Sequence, residues 1–146
     1  MQNNIQQLRE EFKSKVARLN DYLWGAGLKD PVTRIQQISF FFFLKMLEEQ
    51  DTSMEREEKI TGHKHQSIFE GKNEKFRWSR WREKTGRDLE KFVRDEVFPF
   101  IDEMHNGHNN IRQIFHGAKL LIPDEVTLKR TVEIIDTIEF SNLDTD

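Results

Sequence analysis

From Pro31 to Gln50 the chain carries apolar side chains on nearly every side of the helix that their spacing implies. Val32, Ile35, Ile38, Phe42 and Met46 recur at three and four and share one face, while Phe40, Phe41, Phe43, Leu44 and Leu47 spread around the rest. A helix of this kind has to be buried, so it belongs at the centre with other helices packed onto it. Asp30-Pro31 marks its start, a capping side chain followed by proline at the first helical position, and Gly25 and Gly27 close the segment before it. The apolar run Ile38–Leu44 ends at Lys45, far short of the roughly 20 residues of a membrane span.

The rest of the chain reads as helices that surround this one. Ile5, Leu8, Phe12, Val16, Leu19 and Leu23 form one stripe of a helix from about residue 4 to Trp24, with Tyr22 and Trp24 at the edge of the core. Periodicity is lost across residues 51–75, where Met54, Ile60, Ile68 and Phe69 are isolated among charges, and an irregular excursion over the surface is expected. A helix near Asp88 to Phe98 presents Leu89, Phe92, Val93 and Val97, and Pro99 is expected to kink or break it, with Phe100, Ile101 and Met104 continuing its apolar side. His105 to Asn110 reads as a loop, and Ile111, Ile114 and Phe115 as a short helix. After Ile122-Pro123-Asp124 a last amphipathic helix presents Val126, Leu128, Val132, Ile135 and Ile138. The expectation is an all-α fold: one helical domain over residues 1–146, a bundle of five or six helices around the Phe-rich helix at about 31–50.

Composition excludes several functions. No cysteine is present, so thiolate catalysis, Cys-zinc sites and disulfides are out, in keeping with a reducing compartment, and the cytoplasm is the expected location. The start, MQNNIQQLREEF, has neither the basic region nor the apolar stretch of an export signal. No Gly-rich phosphate loop, dinucleotide turn or nucleophile elbow is found among seven scattered glycines, so no cofactor-binding residue and no catalytic residue is assigned. His63-Lys64-His65 and the group Glu103, His105 and His108 match no helical metal spacing, so no metal site is expected and the histidines read as solvated loop residues.

Charge is uneven along the chain. The formal net of −3 divides into −1 over residues 1–71, +5 over 72–94, where nine basic groups face four acidic ones, and −7 over 95–146. Within the basic part, Phe76-Arg77-Trp78-Ser79-Arg80-Trp81-Arg82 interleaves aromatic and cationic groups, a pattern that serves polyanions when cations meet phosphates and aromatics stack on exposed bases. Trp78 and Trp81, three apart, also fit one inward-facing helical turn, and that is the preferred reading for them. For Arg77, Arg80, Arg82, Lys84 and Arg87 two readings stand side by side, contact with nucleic acid and simple solvation of an outer face.

Leu23-Trp24, the stretch from Ile35 to Glu49 with Phe43-Leu44-Lys45-Met46-Leu47, the Trp81 segment and the Val132–Phe140 helix occur in an order that resembles one family. It is the N-terminal helical domain of the modification (DNA methyltransferase) subunit of type I restriction-modification systems, and the likeness covers residues 1–140. The resemblance implies a parent enzyme that methylates adenine N6 in duplex DNA using S-adenosylmethionine, with a specificity subunit and a restriction (motor) subunit as partners. The Gly-rich cofactor motif and the Asn/Asp-Pro-Pro-Tyr/Phe motif of that family are absent from this sequence and are expected downstream in a catalytic domain, so the chain reads as part of a longer protein. What the resemblance implies for this domain is that it helps to clamp duplex DNA and docks the specificity subunit; the +5 segment, read from charge and not from the resemblance, puts forward Arg77, Arg80, Arg82, Lys84 and Arg87 as the DNA-facing residues. The alternative is a helical protein-protein interaction module without DNA contact.

Overall fold

A computed structural model describes residues 2–103 and 117–139. Among these described residues there are six α-helices: α1 (Gln2–Gly25), α2 (Pro31–Thr61), α3 (Trp78–Trp81), α4 (Gly86–Phe92), α5 (Phe98–Asp102) and α6 (Glu125–Asp136). A 3₁₀ helix, Gly71–Phe76, precedes α3, and a π-helical turn, Val93–Val97, joins α4 to α5. No strand occurs among the described residues, and no helix there is long and apolar enough to cross a membrane. The expected loop at His105–Asn110, the short helix around Ile111–Phe115, Met104 and Phe140 lie outside the described residues.

The turn between α1 and α2 forms as its residues dictate. Gly27 takes φ +112°, the left-handed region that a side chain resists, and Leu28 N–H donates back to the Leu23 carbonyl at 3.0 Å. Asp30 then caps α2, its carboxylate accepting from the Thr33 hydroxyl at 2.6 Å and from Thr33 N–H at 3.0 Å, and those hydrogen bonds hold its carboxyl below the usual range. Arg34 is buried inside the turn, donating to Asn20 Oδ1 and to the Leu28 and Lys29 carbonyls, so the two helices are tied where they meet.

α2 is longer and more one-sided than its apolar pattern implies. It continues past Gln50 to Thr61 and stops at Gly62, at φ +79°, where the Gly62 N–H reaches the Glu58 carbonyl. Met54–Lys59 are good helix formers, and the inward positions of 51–61 are polar, Asp51 buried and Thr52, Glu55 and Glu58 half-buried, so a helix is present without apolar periodicity. The irregular stretch is therefore confined to 62–70. Val32 and Ile35 are exposed; the buried side of α2 is instead Arg34, Gln37, Ile38, Phe41, Leu44 and Lys45, with Phe40 alongside. Gln37 shows why: its buried amide donates to the Lys119 carbonyl at 2.9 Å and accepts from Leu121 N–H at 3.0 Å, pinning the segment before α6.

Phe12 of α1 meets Phe42 at 5.6 Å between centroids, and Phe98 of α5 contacts both Phe40 and Phe41 at under 6 Å. Leu19, Leu23, Leu89, Val93, Val97, Leu128, Val132 and Ile135 complete one continuous core. Pro99 does not break its helix. The π turn ahead of it, with Phe98 N–H bonded to the Val93 carbonyl, widens the backbone so that the missing proline N–H and its ring are accommodated within α5. In α6, Asp124 caps the start by accepting from Thr127 N–H at 2.7 Å. Thr127 and Thr131 take buried places, while Val126 points outward. Trp24 is also exposed, its ring covered by the Lys29 ammonium at 3.6 Å.

Candidate functional site

The two tryptophans of the aromatic-basic segment are core. Trp78 and Trp81 are buried and meet edge to face at 4.7 Å. Trp81 donates its indole N–H to the Phe76 carbonyl at 3.1 Å, and Trp78 donates to Asp136 at 2.8 Å across α6. Glu48 of α2 accepts from Ser79 N–H at 2.8 Å, a carboxylate at the exposed start of α3. Neither indole is available for stacking on a base.

The five candidate cations are distributed unequally. Arg77 is 13% exposed and turned inward, its Nε 3.0 Å from Glu74, its Nη2 2.8 Å from Glu55 and 3.3 Å from Asp51. Burial alone would lower its guanidinium, but the hydrogen bonds to Glu74 and Glu55 prevail and hold it above its ordinary value. Arg82, 40% exposed, places Nη1 3.0 Å from Asp136 and Nε 3.4 Å from Glu83, and the Asp136 hydrogen bond raises its value as well. Arg80 is 64% exposed and shares Glu74 with Arg77 at 3.3 Å. Lys84 lies over the Phe92 ring at 4.8 Å, and Arg87 is exposed.

Lys91, which the sequence did not single out, stands one turn beyond Arg87 on the same side of α4. Neither Arg87 nor Lys91 pairs with an acidic group among the described residues. Exposed carboxylates Glu83 and Asp88 stand nearby in sequence, so the local field is mixed rather than purely positive. Between Arg77 and Lys91 the exposed cations are thus Arg80, Arg87 and Lys91, with Lys84 half-buried against Phe92, while Arg77 and Arg82 serve internal pairs; Lys72, Lys75 and Arg94 are exposed toward the ends of the basic segment, Lys75 paired with Glu96 and Arg94 with Glu90 and Asp95.

A buried polar hub lies beside Arg77. Asp51, 4% exposed, accepts at Oδ2 from Ser67 Oγ at 2.7 Å, and its Oδ1 lies 2.7 Å from His65 Nε2. His65 is therefore not a solvated loop residue; it fastens residues 62–70 to α2, and its own N–H donates to Glu58. Burial pushes the Asp51 carboxyl up, yet Ser67, His65 and Arg77 together bring it below the ordinary value. A carboxyl lowered in the folded state stabilises above the unfolded-chain value, about 3.9, and loses that contribution as pH falls through the folded value. Asp51→Asn is expected to cost about 2 kcal/mol at pH 7, as for a broken buried network. Urea unfolding should show the gap from wild type narrowing at pH 3; a gap that stays constant would mean that the carboxylate charge is not its source. Among the described residues no group of three or more His, Asp or Glu side chains forms a metal cage.

The Lys45 ammonium of the Phe43–Leu47 motif is buried and donates to the carbonyls of Asp136 at 3.0 Å and of Ile138, at the end of α6. Lys15 of α1 donates to the Thr137 carbonyl at 2.9 Å. Burial lowers the Lys45 ammonium below its ordinary value, with Glu49, Asp136 and Glu139 acting against it. The motif's one charge thus caps a helix 91 residues away in the chain and joins α2 to α6, at the helix end that Lys15 of α1 and Trp78 of α3 also reach.

A family model described as the HsdM N-terminal domain matches residues 12–135. Searches of the curated proteins and of the solved structures find no match. The matched span runs from within α1 to the last turn of α6 and takes in the motif helix and the basic segment with its tryptophan pair. The chain therefore belongs to the HsdM N-terminal domain family, the N-terminal domain of the modification subunit of type I restriction-modification systems.

Proposed function

We propose that this domain holds duplex DNA through sequence-independent phosphate contacts while a downstream catalytic domain methylates adenine N6. Base methylation requires the target nucleotide to leave the duplex while the flanking backbone is held, and outward cations on an accessory domain supply that hold. The observation that supports the reading is the set Arg80, Arg87 and Lys91, exposed, with Lys84 half-buried beside them, on a segment of net charge +5 in a domain that is otherwise acidic. Docking of the specificity subunit, and through it of the restriction (motor) subunit, belongs to the same reading.

S-adenosylmethionine would be bound downstream. The described glycines with positive φ, at 27, 62, 71, 86 and 117, stand one to a turn and build no cradle for it, so no methyl-transfer step is assigned to these residues.

Glutamate at Arg80, Lys84 and Arg87 together is expected to weaken duplex binding by the assembled complex at least about tenfold at low salt, since each lost phosphate contact removes favourable counterion release. Fluorescence anisotropy measures it, with circular dichroism to confirm the fold; unchanged affinity would sink the proposal. A protein-interaction module without DNA contact is the second reading, favoured by the internal pairing of Arg77 and Arg82, and it expects no effect of these substitutions on DNA affinity.

A further inference from the structure

Asp136 ends α6, and a carboxylate at that position faces the negative end of the helix dipole. The fold places it there with two donors on the side chain, the buried Trp78 indole at 2.8 Å and Arg82 Nη1 at 3.0 and 3.4 Å. The backbone around it is held separately, by Lys45 on the Asp136 and Ile138 carbonyls and by Lys15 on that of Thr137. Trp78, Lys45 and Lys15 reach the helix end from α3, α2 and α1. Of the groups that neutralise Asp136, Arg82 alone comes from the flanking run of candidate phosphate ligands, between Arg80 and Lys84 in sequence and partly open to solvent.

We propose that Arg82 is a latch: it either neutralises Asp136 and closes the last turn of α6, or it turns to a DNA phosphate and leaves that turn loosened. The inference rests on the phosphate-contact reading above and adds its regulation. Arg82 meets Asp136 through Nη1 alone, with Nε toward Glu83, and a guanidinium that donates to a carboxylate donates equally well to a phosphate, so the two anions compete for one group. Once Arg82 leaves, the Asp136 charge at the helix C-terminus is opposed only through the Trp78 hydrogen bond and the Lys45 ammonium, and the Thr137 and Ile138 amides, bonded to the Ile134 and Ile135 carbonyls at 3.2 and 3.0 Å, are the first to open. Coupling of this kind is reciprocal: whatever weakens the Asp136 pair must strengthen phosphate binding by the same factor.

Asp136→Asn tests it directly, because the amide oxygen still accepts from Trp78 while the charge that holds Arg82 is gone. In the assembled complex this variant is expected to bind a short duplex about threefold more tightly than wild type, the size set by a partly exposed ion pair. Glu133→Gln removes one negative charge a turn earlier, from a pair with Arg130, and should change affinity by less than half as much. In wild type, hydrogen exchange at the Thr137 and Ile138 amides should speed up about threefold when duplex is added, a readout that needs no variant. If duplex binds but Asp136→Asn behaves like Glu133→Gln and exchange at these amides is unaltered, the latch is overturned and the phosphate contacts stand. If wild type does not bind duplex at all, the phosphate reading fails, and the latch fails with it.

Discussion

Truncating Trp81 to alanine is expected to lower the unfolding free energy by about 3–5 kcal/mol, the cost of emptying a large aromatic site in a packed core. Trp81 is fully buried, packs edge to face on Trp78, and its indole N–H satisfies the Phe76 carbonyl. Alanine removes all three at once and leaves a buried acceptor without its donor. A domain of this size has only about 5–15 kcal/mol in total, so the variant should approach unfolding at room temperature. Trp81→Phe keeps most of the ring volume and should fall between the two. Urea unfolding followed by far-ultraviolet circular dichroism gives both values; a loss below about 1 kcal/mol for alanine would show that the tryptophan pair is not the core described here.

Lys45→Met has the second large effect, about 2 kcal/mol, as the net of two opposed contributions. Methionine keeps the bulk of the stem, but the carbonyls of Asp136 and Ile138 lose their donor, each a penalty of about 1–3 kcal/mol when buried. Relief from burying an ammonium offsets part of this. The pH dependence separates the two. Because burial lowers the Lys45 ammonium, the folded chain gives up that proton more readily than the unfolded chain. Stability due to this group therefore rises as pH climbs from the folded value toward about 10.4, the ordinary lysine value. Wild type should gain on Lys45→Met between pH 8 and pH 10 in urea unfolding; a gap that narrows would contradict the assignment of the shift to burial.

How far the sequence led depended on whether a residue's partner is local. The α1 stripe through Leu19 and Leu23, the Gly27–Asp30–Pro31 turn and the start of the last helix after Asp124 are decided within a few residues, and the structure has them as the spacing implies. Residues 51–61 were unreadable as helix because periodicity reports apolar burial, and here the inner face is Asp51, Glu55 and Glu58. Val126 and Thr127 exchange expected places for a related reason, since Thr131 and Thr127 fill the interior by bonding within the helix. Pro99 misleads because a π turn, invisible in the sequence, absorbs it.

The basic segment shows the same division. Density of charge is legible, but the partners Glu55 and Asp136 of Arg77 and Arg82 lie 22 and 54 residues away, so which cations remain outward is settled only by the fold. Lys45 is the extreme case. Its motif stands out in the sequence and carries the family likeness, yet its task, capping α6, is a contact across most of the chain.

The measurement that bears most directly on the account is the salt dependence of duplex affinity for this chain. Arg80, Lys84, Arg87 and Lys91, each meeting a phosphate, predict log affinity falling linearly with log salt with a slope of about −3 to −4. The slope should flatten by about 3 when Arg80, Lys84 and Arg87 are reversed. Affinity that does not change with salt, or a slope that the reversals leave intact, would contradict the assignment of this face to DNA.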